Sequence, residues 1–294
     1  MSVLGIAPWW LKIGSKLVLS RLPLDYRVWQ SMGLFRHGFM DSEQYAFDVF
    51  LKHAGLAELE NSLAGKTVLE IGPGDSVATA IIAHSFGANS VLIDAGNFAV
   101  NSPKNYKGLC DLLHNKGLNA PDLKGLNSIG ELLERCESTY HTDGLSSWKN
   151  LATESVDFAF SQAVLEHIPR QDCGITMREC ARVLKPDGKA SHRVDLRDHL
   201  GGALNNLRFS ERVWESSLFS NSGFYTNRIQ HQEFVKIFES AGFQILYEDI
   251  RRWPALPTPR SKLAAPFATL GSEELCISGF DILMKKPAEL ALPA

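Results

Sequence analysis

The sequence has no C-x-x-C pair. Its five cysteines, Cys110, Cys136, Cys173, Cys180 and Cys276, are scattered and odd in number. That argues against a cysteine-built zinc site and against a disulfide framework, and it fits a reducing cytoplasm. An excess of basic residues is also missing: 30 Lys and Arg face 33 Asp and Glu, a net charge of −3. A nucleic-acid partner, which calls for a basic stripe, is not expected. Long apolar runs are absent too. The stretch MSVLGIAPWWLKIGSKLVLSRLPL has no basic leading segment and is broken by Pro8, Lys12, Gly14 and Lys16. It reads as neither a signal peptide nor a membrane span. No internal repeat or low-complexity tract is visible.

What is present is a globular composition, 45% hydrophobic and 21% charged over 294 residues, enough for one large domain with an appendage. Near the start, Trp9, Trp10, Ile13 and Leu17 fall at helical spacing with Lys12 and Lys16 to one side. Such a helix packs on its own domain. The alternative is an interfacial helix that gives peripheral membrane contact through residues 8–21. Asp41 to Ala54 reads as a second helix. After it, strands and helices alternate. KTVLEIG, SVLID, CESTYHTDG, SVDFAFS and KASHRVD read as five strands, with FQILYEDI and CISGFDILM as two more. Ser76 to Ser85, Thr176 to Leu184 and His231 to Ala241 read as helices. The alternation predicts an α/β fold: a Rossmann-like, doubly wound, mostly parallel seven-stranded sheet with helices on both faces. The expected division is an N-terminal helical cap over 1–62 and the sheet domain over 63–294. Pro103 to Arg135, Leu196 to Gln230 and Arg251 to Ser272 break the alternation. The second of these, after strand five, reads as a lid insertion over about 196–230.

The strongest chemical signal is VLEIGPGDS, Val68 to Ser76. A strand runs through a glycine turn into a helix. Gly72 and Gly74, around Pro73, let the backbone approach a ligand, and Asp75 or Ser76 can cap the helix. A dinucleotide fingerprint would put a third glycine at Val77, and it does not call for an acid beside phosphates. Glu70 stands there, and an acid suits a ligand carrying an ammonium and a sulfonium. The stretch resembles motif I of the class I S-adenosylmethionine-dependent methyltransferases, with Ser76 in place of the family's third glycine. Other segments match in order: VLIDAG, HTDG, FAFSQAVLEHIP and RVLKPDGK. The resemblance covers Lys66 to Lys189 well and the last helix and strands loosely.

It implies S-adenosylmethionine as cofactor, held by Glu70, Gly72, Pro73, Gly74, Asp94 and Ala95, with Asp94 on the ribose hydroxyls. It places Asp143 and Gly144 at the adenine amino group, and Ser161 and Gln162 where acceptor and methionine moiety meet. Glu166 and His167 recur in the family's motif, His167 as a residue that holds the loop. In plainer terms, Asp94 is also a candidate helix cap and Asp143 a candidate turn residue.

SHRVDLRDHLGG, Ser191 to Gly202, carries too much charge for a strand buried on both faces. Its tip shares an edge with the glycine turn, so it reads as the wall of the acceptor site. His192 is the expected catalytic base with Asp195 as its partner, and His37 (in RHG) or His199 as replacements. The other reading of these charges is an ion-pair network that holds the lid. Arg193, His199, Asn205, Asn206, Arg208, Tyr225 and Arg228 are expected to bind a polar, hydroxylated small molecule or glycan. A magnesium site from Asp195, Asp198 and His199 is the weaker reading, since such sites gather more carboxylates, and no metal is expected. The stretch is also similar to bacterial methyltransferase-domain proteins found near polysaccharide and secondary-metabolite genes. The expected activity is O-methylation by in-line transfer with a histidine base. The alternatives are an inactive binding or regulatory protein and a metal-dependent sugar O-methyltransferase. The expected location is cytoplasmic, peripheral to the inner membrane face if the first helix is interfacial.

Overall fold

Apolar β-branched runs flanked by glycine and polar turns pair here as parallel strands, because amphipathic helices from the intervening segments cover both faces. The computed structural model describes residues 8–19, 40, 42–99 and 102–288. In chain order the principal elements are α1 (Trp9–Leu19), α2 (Glu43–Leu56), β1 (Thr67–Ile71), α3 (Ala78–Ser85), β2 (Asn89–Ile93), α4 (Lys107–Asn115), α5 (Ile129–Arg135) and β3 (Ser138–His141). They continue with β4 (Val156–Gln162), α6 (Arg170–Val183), β5 (Leu184–Asp195), α7 (Glu211–Trp214), α8 (Ser217–Ser220), α9 (His231–Ser240), β6 (Gln244–Arg252) and β7 (Ile277–Lys285). The sheet order is β3-β2-β1-β4-β5-β7-β6. β1 to β5 run parallel, and β7 is antiparallel to both β5 and β6.

The chain winds outward in opposite directions from β1 and β4. That reversal leaves a crevice at the C-terminal ends of these two strands, the place where open α/β sheets bind ligands. One core, with Phe47 and Phe50 of α2, Ile81 and Ile82 of α3, and Phe158 and Phe160 of β4, packs one face. The other holds Leu69, Ala159, Met177, Phe234, Phe238 and Ile282. Each such large side chain contributes roughly 1.5–3 kcal/mol, and together they hold the strand tips in register.

Two segments differ from expectation. Pro103 to Arg135 was expected to be irregular but contains α4 and α5, which bury Leu109, Cys110 and Leu113, and Leu132 and Leu133. α6 begins at Arg170, six residues before the expected start.

The lid insertion lies between β5 and α9, and it has a core of its own. Leu200, Trp214, Phe219, Phe224 and Tyr225 pack with Ile13, Trp9 and Leu17 of α1. Trp9, Ile13 and Leu17 of the α1 apolar stripe therefore pack against the lid. Trp10 and Leu11 remain exposed. Among the described residues no helix is long and apolar enough to cross a membrane.

Asp198 closes the first turn of the lid. Its Oδ1 accepts the N–H groups of Leu200, Gly201 and Gly202 at 3.0, 2.7 and 3.0 Å. Its Oδ2 accepts the Asn205 N–H at 2.6 Å and the Asn205 side-chain amide at 2.9 Å. Asp198→Ala removes all five and leaves buried amides unsatisfied. We expect a loss of about 3 kcal/mol and early protease cleavage within 196–230. Unchanged thermal unfolding and unchanged proteolysis would refute this role.

Candidate active site

The glycine turn after β1 is built from left-handed backbone, with φ of +73° at Gly72 and +65° at Gly74. A Cβ at Gly72 would stand 2.5 Å from Val164 Cγ1, so only glycine lets the turn pass this close to the loop after β4. The Tyr106 hydroxyl accepts the Val77 N–H at 2.9 Å, and Ser76 Oγ accepts the Ala78 N–H at 3.1 Å. Together they fix the start of α3. The helix starts later than expected: its cap position is Val77, which has no side-chain cap, so neither Asp75 nor Ser76 caps it.

Glu70, just before the turn, is 1% exposed, and its Oε2 has no hydrogen-bond partner among the described residues. Burial pushes its carboxyl up to about 8; the Thr79 hydroxyl opposes this, and Asp94 adds to it. Asp94 sits half-buried at the tip of β2. Its Oδ2 accepts the Gly74 N–H at 2.8 Å and its Oδ1 the Ala95 N–H at 2.7 Å. No helix begins there, so it is not a helix cap. Its carbonyl accepts the N–H of Gly144 at 2.9 Å, which brings the segment after β3 alongside. Gly144 has φ +55°, and the exposed Asp143 donates its N–H to Ser147 Oγ at 3.0 Å. The edge therefore presents a partnerless buried carboxyl oxygen, a second carboxylate and left-handed glycines. Such a donor set fits a ligand with an ammonium and vicinal hydroxyls, and it disfavours a pyrophosphate, which the Asp94 carboxylate would repel and which would keep Glu70 from ionising.

Strand five departs from expectation. Along a strand, side chains alternate between faces. Ser191, Arg193 and Asp195 face α2, while His192 faces α9. His192 is wholly buried, its ring stacked near Phe238, with Nδ1 2.8 Å from Ser161 Oγ. Its Nε2 has no hydrogen-bond partner among the described residues. Burial, with His53 adding, pushes this ring down to about 3. Asp195 is on the opposite face and is held by Arg197, with Nε–Oδ1 at 2.9 Å and Nη2–Oδ2 at 2.7 Å. The expected His192–Asp195 dyad does not form. The Ser161 hydroxyl is likewise turned into the core. Gln162 is tied to α2, its Oε1 3.0 Å from His53 Nε2 and its amide donating to the Tyr45 hydroxyl at 3.2 Å. His37 lies outside the described residues.

The polar lid residues also differ from expectation: most hold the lid itself. Asn205 binds Asp198, and Asn206 donates to Thr226 Oγ1 at 3.0 Å. Arg208 donates to Asn205 Oδ1 at 2.9 Å and lies over the Trp9 ring. The Tyr225 hydroxyl donates to Glu215 at 2.8 Å. Arg228 donates to the Phe209 carbonyl at 2.7 Å and lies over the rings of Trp214 and Phe267. The magnesium set fails for the same reason, since Asp195 and Asp198 are already engaged.

Two groups at this edge escaped the sequence reading. One is cationic: Lys52 and Arg251 both pair with Asp281, the cross-strand partner of Arg193. The Arg193 guanidinium has no hydrogen bond or ion pair among the described residues. The other joins the turn after β4 to the head of the lid, where ligand atoms of Glu166, His167 and His199 lie within 4.8 Å of one another. Beside His167 opens a cleft of about 750 Å³, lined by Arg170, Glu211, Glu215, Tyr225 and Glu233 among others.

A family model described as a methyltransferase domain matches residues 43–248. The chain belongs to that family and is a class I S-adenosylmethionine-dependent methyltransferase. Its cofactor is S-adenosylmethionine. Among curated proteins nothing matches. Similar solved structures include one from Galdieria sulphuraria, described as a candidate sarcosine dimethylglycine methyltransferase. It shares 16% identity over 83% of this chain and 85% of that one, with a TM-score of 0.46. An S-adenosylmethionine-dependent methyltransferase of Methanosarcina mazei shares 17% over 76% and 93%, TM-score 0.40. One from Mesorhizobium loti shares 14% over 81% and 99%, TM-score 0.43. These likenesses do not bear on the acceptor.

Proposed function

We propose that the protein O-methylates a polar, hydroxylated small molecule or glycan, with S-adenosylmethionine held across the tips of β1, β2 and β4. The observation that carries this is the Glu70 carboxyl oxygen Oε2, buried without a hydrogen-bond partner among the described residues, beside the glycine turn and next to Asp94. When bound, the cofactor supplies a methyl carbon activated by positive sulfur. Glu70 answers the ammonium, Asp94 and Ala95 the ribose hydroxyls, and Asp143 and Gly144 the adenine amino group. Gly72, Pro73 and Gly74 give the backbone its close approach, and the strand ends at Ser161 and Gln162 form the floor. The chain's contribution to rate is alignment, worth up to several kcal/mol.

The acceptor side is the rim of Arg193, His167 and His199 beside the cleft. Arg193 has an unused cationic fork, and both histidines are accessible to solvent. This rim, rather than the inward-turned lid residues, supports a polar acceptor. A hydroxyl acceptor requires that its proton be lost as the O–C bond forms. Of His192 and His199, His199 is the one at the rim, and we assign it to the acceptor rather than His192.

Labelled cofactor incubated with the protein and extracts of its own cells tests this. The label is expected in a small polar compound or glycan, as an ether methyl. Label in nucleic acid or protein, or cofactor binding without any labelled product, would overturn the reading. The last result would favour the inactive binding protein.

A further inference from the structure

We propose that Glu166, His167 and His199 form a binding site for a divalent first-row transition-metal ion at the acceptor rim. The inference rests on reading this edge as the acceptor side, and it adds an ion to it.

Glu166 and His167 lie in the turn after β4, and His199 lies four residues beyond the end of β5. Only the fold brings them together, with ligand atoms within 4.8 Å of one another. Glu166 is 2% exposed. Its Oε1 accepts the Asp195 N–H at 3.2 Å, which fixes the carboxyl group. Its Oε2 is buried and has no hydrogen-bond partner among the described residues. A buried carboxyl oxygen without a donor is costly to ionise unless a cation answers it.

His167 is oriented as metal-binding histidines are. Its Nδ1 lies 2.9 Å from the Tyr225 carbonyl, so Nδ1 carries the proton and Nε2 the lone pair. The rings of His167 and His199 stand edge to face with centroids 4.7 Å apart. Bonds of about 2.0–2.2 Å put donors around one ion roughly 3–3.5 Å apart. The set therefore needs to close by about an ångström, within reach of side-chain rotation at the two accessible histidines. Two imidazoles and one carboxylate suit first-row transition ions, whereas magnesium and calcium take oxygen ligands. Charges nearby divide: Arg193 opposes a cation, and Asp195 is already paired with Arg197.

Three protein ligands leave coordination positions open for an acceptor oxygen. The bound hydroxyl becomes more acidic and gives its proton to solvent. The O–C bond then forms as the S–C bond breaks, and sulfur leaves as a neutral thioether.

The test is titration of tag-free, chelator-stripped full-length protein with Co²⁺ alone, followed by visible absorption and calorimetry. We expect one equivalent bound with the spectrum of a nitrogen- and oxygen-ligated ion. His199→Ala should weaken it by roughly 100-fold, with unchanged thermal unfolding and unchanged S-adenosylmethionine affinity. Glu166→Gln should weaken it as well, and His199→Ala keeps the test decisive if that variant folds poorly. Absence of stoichiometric binding, or binding indifferent to His199→Ala, overturns the site. Methyl transfer to a hydroxylated acceptor by metal-free protein that binds no Co²⁺ would leave the acceptor reading intact and remove the site. Stoichiometric, His199-dependent Co²⁺ binding without any hydroxylated product would keep the site and remove the acceptor reading.

Discussion

Cofactor-free protein is expected to be most stable between about pH 4.5 and 6.5 and to lose stability on both sides. His53 and His192 are buried and neutral. Burial, aided by Lys52 at the first and by His53 at the second, pushes each ring down to about 3. The unfolded chain takes up these protons from about 6.5 downward, and the folded chain does not. Their contribution is intact above 6.5 and drains toward pH 3, by about 1.4 kcal/mol per pH unit for each ring. Asp157, Asp195 and Asp281, all held below the usual carboxylate range by their partners, steepen the acid limb.

Glu70 acts with the opposite sign. Burial raises it from 4.5 to about 8, so the folded chain keeps a proton that the unfolded chain has lost. Its contribution is intact below 4.5 and is lost as pH rises through 8, again by about 1.4 kcal/mol per unit. Glu166, raised to about 8 by the same burial, adds to this limb. Between 4.5 and 6.5 the two slopes cancel. Urea midpoints measured across pH 3–9 check this. Glu70→Gln should flatten the alkaline limb, and saturating S-adenosylmethionine should do the same by placing an ammonium near Glu70. Stability that climbs steadily from pH 6.5 to 8 would contradict the assignment.

The second large effect is at Asp94. Asp94→Ala is expected to weaken S-adenosylmethionine binding by roughly 1.5–3 kcal/mol, about 10- to 150-fold, the range for hydrogen bonds to a charged acceptor. Two contributions combine. The ribose hydroxyls lose their acceptor, and the amides of Gly74 and Ala95 lose theirs, which loosens the glycine turn. Asp94→Asn separates them, because an amide oxygen still accepts one N–H while the charge is gone. Calorimetry should rank wild type above Asn and Asn above Ala. Equal affinities would mean that Asp94 only holds the turn or has no role.

The sheet was legible because its strands are short apolar runs ending at glycine or acid, and the cofactor edge followed from where those runs stop. Glu70 and Asp94 stand at the ends of two such runs. α5 was legible in principle: Ser128 accepts the Glu131 N–H at 3.2 Å, and that serine-x-x-glutamate spacing is a start signal. Glycine punctuation obscured it. The two-residue strand period of SHRVD sends His192 and Asp195 to opposite faces, which is why the two do not pair. The lid misled for a different reason. An insertion with little regular structure must satisfy its own backbone amides and carbonyls. Polar side chains such as Asp198, Asn227 and Arg228 do that work, and composition alone resembles substrate recognition. Residues 166 and 167 are far enough from 199 in sequence that only the β4–β5 pairing unites them.

Calorimetric titration of the purified wild-type protein with S-adenosylmethionine, and separately with NADH, tests the central claim most directly. A single S-adenosylmethionine site and no measurable NADH binding are expected. NADH binding in preference to S-adenosylmethionine would contradict it.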